Sequence, residues 1–224
     1  MTRARDLADQ HKTLTVDGGT IKLDGNFPTG SNNVALGDQA LDDGSLSGGA
    51  NTAIGYQALS ENEGGAFNVA VGSGSLYSNT SASSNTALGR DALYANTTGA
   101  SNTAVGAESL STNTTGEQHT ALGKNALKAN TTGSNSVAVG AGALRNNTTG
   151  DKNTAVGTSA SNQNTTAANN TAVGYTAMYA NTTGHSNVAV GYQSLYNNTT
   201  GTSNVAIGWN AADANTTGGG ITAI

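Results

Sequence analysis

Cysteine is absent from this chain, proline occurs once, and charged and aromatic residues are both scarce. Without cysteine the chain cannot form disulfides or thiolate metal sites. Charged residues make up 10% of the 224 residues and the net charge is -5, so there is no basic stripe for nucleic acid phosphates. No run of about 18 apolar residues could cross a membrane as a helix. We therefore expect neither nucleic acid binding nor membrane insertion.

One motif, however, repeats along nearly the whole chain. With few departures, Asn-[Thr/Val]-Ala-[Val/Leu/Ile]-Gly recurs eleven times from residue 33, at a spacing of 18 residues once and 17 thereafter. A unit reads approximately N-[TV]-A-[VLI]-G-x-x-[AS]-L-x-x-N-T-T-G-x-x, and we number its positions 1 to 17 from the first Asn. A constant period of this length indicates a solenoid in which each unit forms one coil.

Positions 2 to 4 predict a short strand, because Val, Ile and Thr favour extended backbone. Alternation places positions 2 and 4 on one face and the Ala of position 3 on the other. We expect the Val, Leu and Ile side chains to fill the core, and the uniform Ala column to mark a dry contact between subunits. The expected trimer interface consists of Ala87, Ala104, Ala121, Ala138, Ala155, Ala172 and Ala189.

The Asn-Thr-Thr-Gly segment at positions 12 to 15 is typical of a turn. Stacked coils place identical residues about 4.8 Å apart, where like charges repel one another. Asn tolerates this stacking, because its amide can donate to one coil and accept from the other. Ten of the eleven units hold Asn at position 12, from Asn62 to Asn215, so we expect an asparagine ladder.

These patterns predict an all-β protein: a parallel β-solenoid, or β-roll, of 17-residue coils, assembled as a parallel homotrimer. Eleven coils and an incomplete twelfth would occupy residues 33–224 and form a rod roughly 50 Å long. Because a coil this thin encloses few apolar side chains, we expect contacts between subunits to bury further apolar surface.

Residues 1–32 differ from the repeats in their denser charge, and their first ten residues contain no apolar segment typical of a secretory signal. We expect this segment to cap the first coil and to attach the chain to a larger assembly. Short strands are predicted around residues 14–16 and 21–23. The expected attachment residues are Arg3, Arg5, Asp6, Leu7 and Asp9.

The strings Asn-Thr-Ala-Val-Gly and Asn-Val-Ala-Val-Gly-Tyr-Gln-Ser-Leu-Tyr-Asn-Asn-Thr-Thr-Gly resemble the repeats of bacteriophage tail-fibre proteins. They are similar, more distantly, to the heads of trimeric autotransporter adhesins, whose shorter repeats form a trimeric left-handed parallel β-roll. The resemblance covers residues 33–224, and residues 3–9 are similar to the start of phage fibre chains. We expect this chain to lack the signal peptide, coiled-coil stalk and membrane anchor of the adhesins, and the C-terminal chaperone domain of many phage fibres.

The resemblance implies a non-enzymatic structural and adhesive protein of the phage virion. Such a fibre is a homotrimer that contacts other tail or baseplate proteins through its N-terminus and spaces or presents a host-receptor-binding tip.

Carboxylates are concentrated in the first two units and are the residues to weigh for catalysis. They are Asp38, Asp42, Asp43, Glu61 and Glu63. Glycan hydrolysis requires a pair of carboxyl groups, but each of these acids lies in a predicted loop without an Arg or His positioned to tune it. No two of the three histidines, His11, His119 and His185, share a local metal-binding spacing. We expect no catalytic residue, no metal and no cofactor.

Aromatic residues near the end of the chain share positions in successive coils. Position 6 holds Tyr175, Tyr192 and Trp209, and position 10 holds Tyr179 and Tyr196. One interpretation is a stacked ladder that stabilises the last coils. The other is a platform for the sugar rings of a host surface glycan or receptor.

Two alternative functions stay open: an ice-binding solenoid and a polysaccharide-degrading tailspike. Threonine-rich solenoids can order water, but adjacent threonines in a strand would point to opposite faces, which speaks against a flat ice-binding surface. The scarcity of carboxylates speaks against the tailspike.

Overall fold

The computed structural model describes residues 14–16, 19–21, 32–43 and 45–224. All regular secondary structure in these residues is β-strand. They contain no helix that could span a membrane. The strands are β1 (Leu14–Val16), β2 (Gly19–Ile21), β3 (Val34–Leu36), β4 (Thr52–Ile54), β5 (Val69–Val71), β6 (Thr86–Leu88), β7 (Thr103–Val105), β8 (Thr120–Leu122), β9 (Val137–Val139), β10 (Thr154–Val156), β11 (Thr171–Val173), β12 (Val188–Val190), β13 (Val205–Ile207) and β14 (Thr222–Ala223).

The N-terminal segment contributes one antiparallel pair, β1 with β2. Strand β1 coincides with the predicted strand, whereas β2 overlaps the predicted residues 21–23 only at Ile21. The expected attachment residues lie outside the described part of the chain.

Strands β3 to β14 form one 12-stranded parallel sheet in chain order. Each strand pairs in register with the same positions one coil later, as in Thr103 with Thr120 and Ala104 with Ala121. The parallel β-solenoid of about eleven 17-residue coils is therefore confirmed.

The alanine column of position 3 faces the interior of each coil, not its outside. Ala87, Ala104, Ala121, Ala138, Ala155, Ala172 and Ala189 are all completely buried within the single chain. No partner could touch these side chains, so the prediction that they form the trimer interface is wrong.

The physical reason is the narrowness of the coil. The alanines share one core cluster with the equally buried leucines of position 9, such as Leu110 and Leu127. Because that leucine already occupies the interior, the facing strand has room for only a methyl group, and the larger side chains of positions 2 and 4 must point outward.

Two columns of asparagine run through the solenoid. In the position 12 column, Asn113 Nδ2 donates to Asn96 Oδ1 at 2.8 Å and to the Gly116 carbonyl three residues on at 2.9 Å. Amide-to-amide bonds of 2.6–3.2 Å connect all ten of these residues from Asn62 to Asn215. The predicted asparagine ladder is confirmed.

The position 1 column ties each coil to the next in a different way. Asn102 Oδ1 accepts the backbone N–H of His119 at 2.9 Å, and Asn102 Nδ2 donates to the Gly116 carbonyl. Both asparagine columns are buried, where an amide without a hydrogen-bond partner would destabilise the fold. The hydrogen bonds between coils supply those partners.

Glycine at position 5 lets successive coils approach closely. Gly106 has a φ of +127°, and a Cβ built there would lie 2.6 Å from the Gly123 backbone carbon. A side chain at this position would force the coils apart, which explains why glycine follows each strand from β3 to β13.

Position 9 carries backbone strain. Leu110 and Leu127 both have φ of 50°, in the left-handed region that costs a non-glycine residue about 1–2 kcal/mol. Full burial of the leucine side chain stabilises by about 1.5–3 kcal/mol and offsets that cost.

Candidate functional site

The outer face of the parallel sheet is free of charge and mostly apolar, with threonine at many of its position 2 residues. Among the described residues, positions 2 and 4 hold only Val, Ile, Leu and Thr from Val34 to Ile224. Several are well exposed, including Val34 at 50%, Ile207 at 42% and Ile54 at 37%. Eleven strands of three residues and one of two present on the order of 500 Å² of this surface. A contiguous patch of that size marks an interaction surface in many soluble proteins.

The C-terminal aromatic residues stack along the rod. Tyr192 lies between Tyr175, at a centroid distance of 5.5 Å, and Trp209, at 6.2 Å. Tyr179 and Tyr196 form a second stack at 5.4 Å. The predicted ladder is therefore present.

Stacking limits what these rings can offer a sugar. Both faces of Tyr192 are covered, whereas Trp209 ends its ladder and is 74% exposed. Trp209 therefore presents a free ring face at the C-terminal end of the position 6 ladder.

A third stack, which the sequence analysis did not single out, borders a cleft in the middle of the rod. Tyr77 and Tyr94 stack at 5.0 Å through position 10. The next coil carries Ser111 at that position, so the column of rings stops and leaves a gap. The cleft has a volume of about 400 Å³ and is lined by Asp91, Tyr94, Glu108, Ser111 and Thr112.

An ion-pair network across three coils forms one wall of the cleft. Glu108 accepts from Arg90 at 2.7 Å and from Lys128 at 2.5 Å. The bond from Lys128, supported by Arg90, lowers the pKa of Glu108. Asp91 lies 3.6 Å from Arg90. Both cleft carboxylates are thus near cations, and Glu108 stays charged well below neutral pH.

The acids of the first two units do not form a comparable site. Asp38, Asp42 and Glu63 are exposed. Hydrogen bonds from the Ser45 hydroxyl and amide lower the pKa of Asp43, and a hydrogen bond to Glu61 raises the pKa of Tyr77. No cluster of three His, Asp or Glu able to hold a metal occurs in the described residues.

His119 replaces Asn in the buried column of position 1. Its Nε2 lies 2.6 Å from the Gly133 carbonyl, and its Nδ1 accepts the Ser136 N–H at 3.2 Å. This pattern requires the neutral ring with hydrogen on Nε2, which copies the donor and acceptor of Asn. Burial lowers the pKa of His119, although both backbone bonds and the charge of Asp151 oppose the shift. The residue therefore has a structural role.

Comparison with protein-family models, curated proteins and solved structures finds no match to this chain. The class that the fold defines is a parallel β-solenoid repeat protein.

Proposed function

We propose that this chain is a structural and adhesive fibre element of a bacteriophage virion. In this proposal it forms a parallel homotrimeric rod that spaces or presents a host-binding tip, with residues 1–32 attached to tail or baseplate proteins. The protein would then be part of an extracellular virion structure and not an enzyme. The proposal is carried by the uncharged apolar sheet face, which runs along the whole solenoid.

The sheet face favours self-association in register. Each coil presents the same pair of columns as the last, so two parallel copies would match at every step of about 4.8 Å. In a single chain this face is open to water, whereas three copies can turn their faces toward one axis and cover them all. The side chains that would meet there are those of positions 2 and 4, in place of the alanines.

Charge placed on the sheet face tests the proposed assembly. Val105→Lys with Leu122→Lys should give a folded monomer, because outward lysines keep water on the face without disturbing the buried alanines. Thr115→Lys with Thr132→Lys, at the exposed position 14 of neighbouring coils, is the matched control and should remain a trimer. Sedimentation velocity would report mass and circular dichroism would report folding. A trimeric sheet-face variant would refute the proposed interface.

If this chain contacts the host directly, we propose that it does so at the last coils. The receptor-binding residues would be the stripe of Tyr175, Tyr192 and Trp209, together with the neighbouring stack of Tyr179 and Tyr196. Trp209→Ala should weaken adsorption to host cells most, because Trp209 ends the stack and is the most exposed ring of the stripe. Tyr192→Ala should lower the melting temperature more than adsorption. Wild-type adsorption of the double variant would leave the chain as a spacer.

An ice-binding role is the second candidate, and one observation favours it. Position 14 forms an exposed column on one side of the rod: Thr98, Thr115, Thr132, Thr149, Thr166, Thr183, Thr200 and Thr217. Positions 13 and 14 lie outside the strands, so the sequence argument based on opposite strand faces does not apply. However, the Thr114 and Thr131 hydroxyls of position 13 donate to carbonyls of the next coil, which leaves a single file of free hydroxyls. Thermal hysteresis by the wild-type chain would favour this role, and its absence would exclude it.

A further inference from the structure

We propose that the cleft beside Tyr94 binds a neutral sugar ring. This site lies mid-rod, apart from the C-terminal aromatic stripe, and does not depend on the proposed fibre role or on trimer formation.

The first argument is the free face of an aromatic ring. Tyr77 covers the face of Tyr94 that points to the preceding coil, where a Cβ on Gly74 would also lie 3.3 Å from the ring. The cleft opens on the other side, because Ser111 stands where a further ring would continue the stack. Tyr94 is 40% exposed. Aromatic faces of this kind pack against the C–H face of a pyranose.

The second argument is the set of polar groups around that face. Asp91 and Glu108 supply carboxylate acceptors, and the Ser111 hydroxyl makes no hydrogen bond with any described residue. The Thr112 hydroxyl is committed, because it donates to the Lys128 carbonyl at 2.6 Å. Acceptors and one free hydroxyl beside an apolar ring match the hydroxyl-rich edge and apolar face of a sugar, and the volume suits a small ligand.

The third argument is charge balance, which distinguishes a sugar from a cation. A cationic amine would need uncompensated carboxylates beside the ring. Arg90 and Lys128 both contact Glu108, and Arg90 also lies near Asp91. Lys124 adds a third positive charge near Glu108, so the cleft has no uncompensated carboxylate for a cation and favours a sugar.

The equivalent position elsewhere lacks this combination. Tyr196 also ends a stack at position 10, but the next coil carries Asp213 there in place of a small serine. Phe67 carries an exposed ring outside both the cleft and the C-terminal aromatic stripe, so it is the control.

The test uses the full chain carrying Trp209→Ala, which removes the most exposed ring of the C-terminal stripe, as the parent for all variants. Saturation-transfer NMR is run with glucose, galactose, mannose, N-acetylglucosamine and choline as probes. At least one sugar should bind and choline should not. Ser111→Tyr should abolish binding, because a third stacked ring fills the cleft and the Tyr77–Tyr94 pair shows that neighbouring coils accept such stacking. Asp91→Asn should weaken binding by roughly tenfold through loss of a charged acceptor.

Phe67→Ala should leave sugar binding at the level of the parent chain, while Tyr94→Ala should abolish it with the circular dichroism spectrum unchanged. Binding of choline alone, binding of none of the sugars, or full sugar binding by Ser111→Tyr would each overturn the proposal. Sedimentation of the same variants keeps this result separate from the proposed assembly, because none of them alters the sheet face.

Discussion

Filling the defective coil at Ser161 should stabilise the solenoid. Ser161 is the single polar residue among the described position 9 residues, between Leu144 and Met178 in the buried column. It is 2% exposed, and its hydroxyl makes no hydrogen bond with any described residue. Its φ of 49° equals that of Leu144, so the backbone already has the conformation that leucine adopts at this position.

Ser161→Leu should therefore raise the free energy of unfolding by about 2 kcal/mol. Burying a leucine side chain contributes about 1.5–3 kcal/mol, and removing a hydroxyl without a partner adds to it, while imperfect fit subtracts. For a chain of this size the melting temperature should rise by roughly 4–8 °C. Thermal unfolding followed by circular dichroism would measure the shift.

Two controls separate packing from the loss of the hydroxyl. Ser161→Ala removes the hydroxyl without filling the space and should give less than half of the gain. Leu127→Ser introduces the same defect into an intact coil and should cost about 2–5 kcal/mol. If Ser161→Leu is neutral or destabilising while Leu127→Ser has its expected cost, this coil has no room at position 9 and the reasoning fails.

Three further changes test the hydrogen-bond columns and the glycine contacts. Because the pKa of His119 is lowered in the folded chain, the free energy of unfolding should fall as the pH drops from 6.5 through that lower pKa. In His119→Asn the urea midpoint should depend less on pH across this window. An unchanged pH dependence would contradict the assigned tautomer. Gly106→Ala should cost about 4 kcal/mol or more, because its Cβ would meet the backbone of Gly123. Gly208→Ala, with a φ of +132° but no atom closer than 3.9 Å, should cost only about 1–3 kcal/mol. Equal losses of stability in thermal melts would contradict the close approach of the coils at glycine. Asn113→Asp replaces a buried donor by a charge and should cost about 3 kcal/mol or more in urea unfolding, and a wild-type midpoint would show that the ladder contributes nothing.

The fold could be predicted because one signal, the 17-residue period, fixes the coil length, the parallel sheet and the register together. The ladder of position 12 follows from the same period, since identical residues must stack. In contrast, the direction of the strand faces could not be deduced from alternation. Positions 2, 3 and 4 are all small or apolar, so the pattern fits either orientation. What decides it is the space that Leu110 and its counterparts leave inside the coil.

The cleft was missed for a related reason. Its residues come from positions 7, 10 and 11 of neighbouring coils. Their proximity depends on the bend that follows position 5, a conformation with left-handed residues that the sequence pattern does not reveal. One signal was available. Aligning position 10 along the chain gives Tyr77, Tyr94 and then Ser111, which marks the end of a ring stack.

The mass and shape of the wild-type chain in solution test the central claim most directly. Sedimentation velocity combined with small-angle scattering should give a particle of three times the 22.1 kDa chain mass, with a long axis of at least roughly 50 Å. The apolar sheet faces would then be covered within the particle. A stable monomer at micromolar concentration, with the sheet face open to water, would contradict the account of this solenoid as a trimeric fibre.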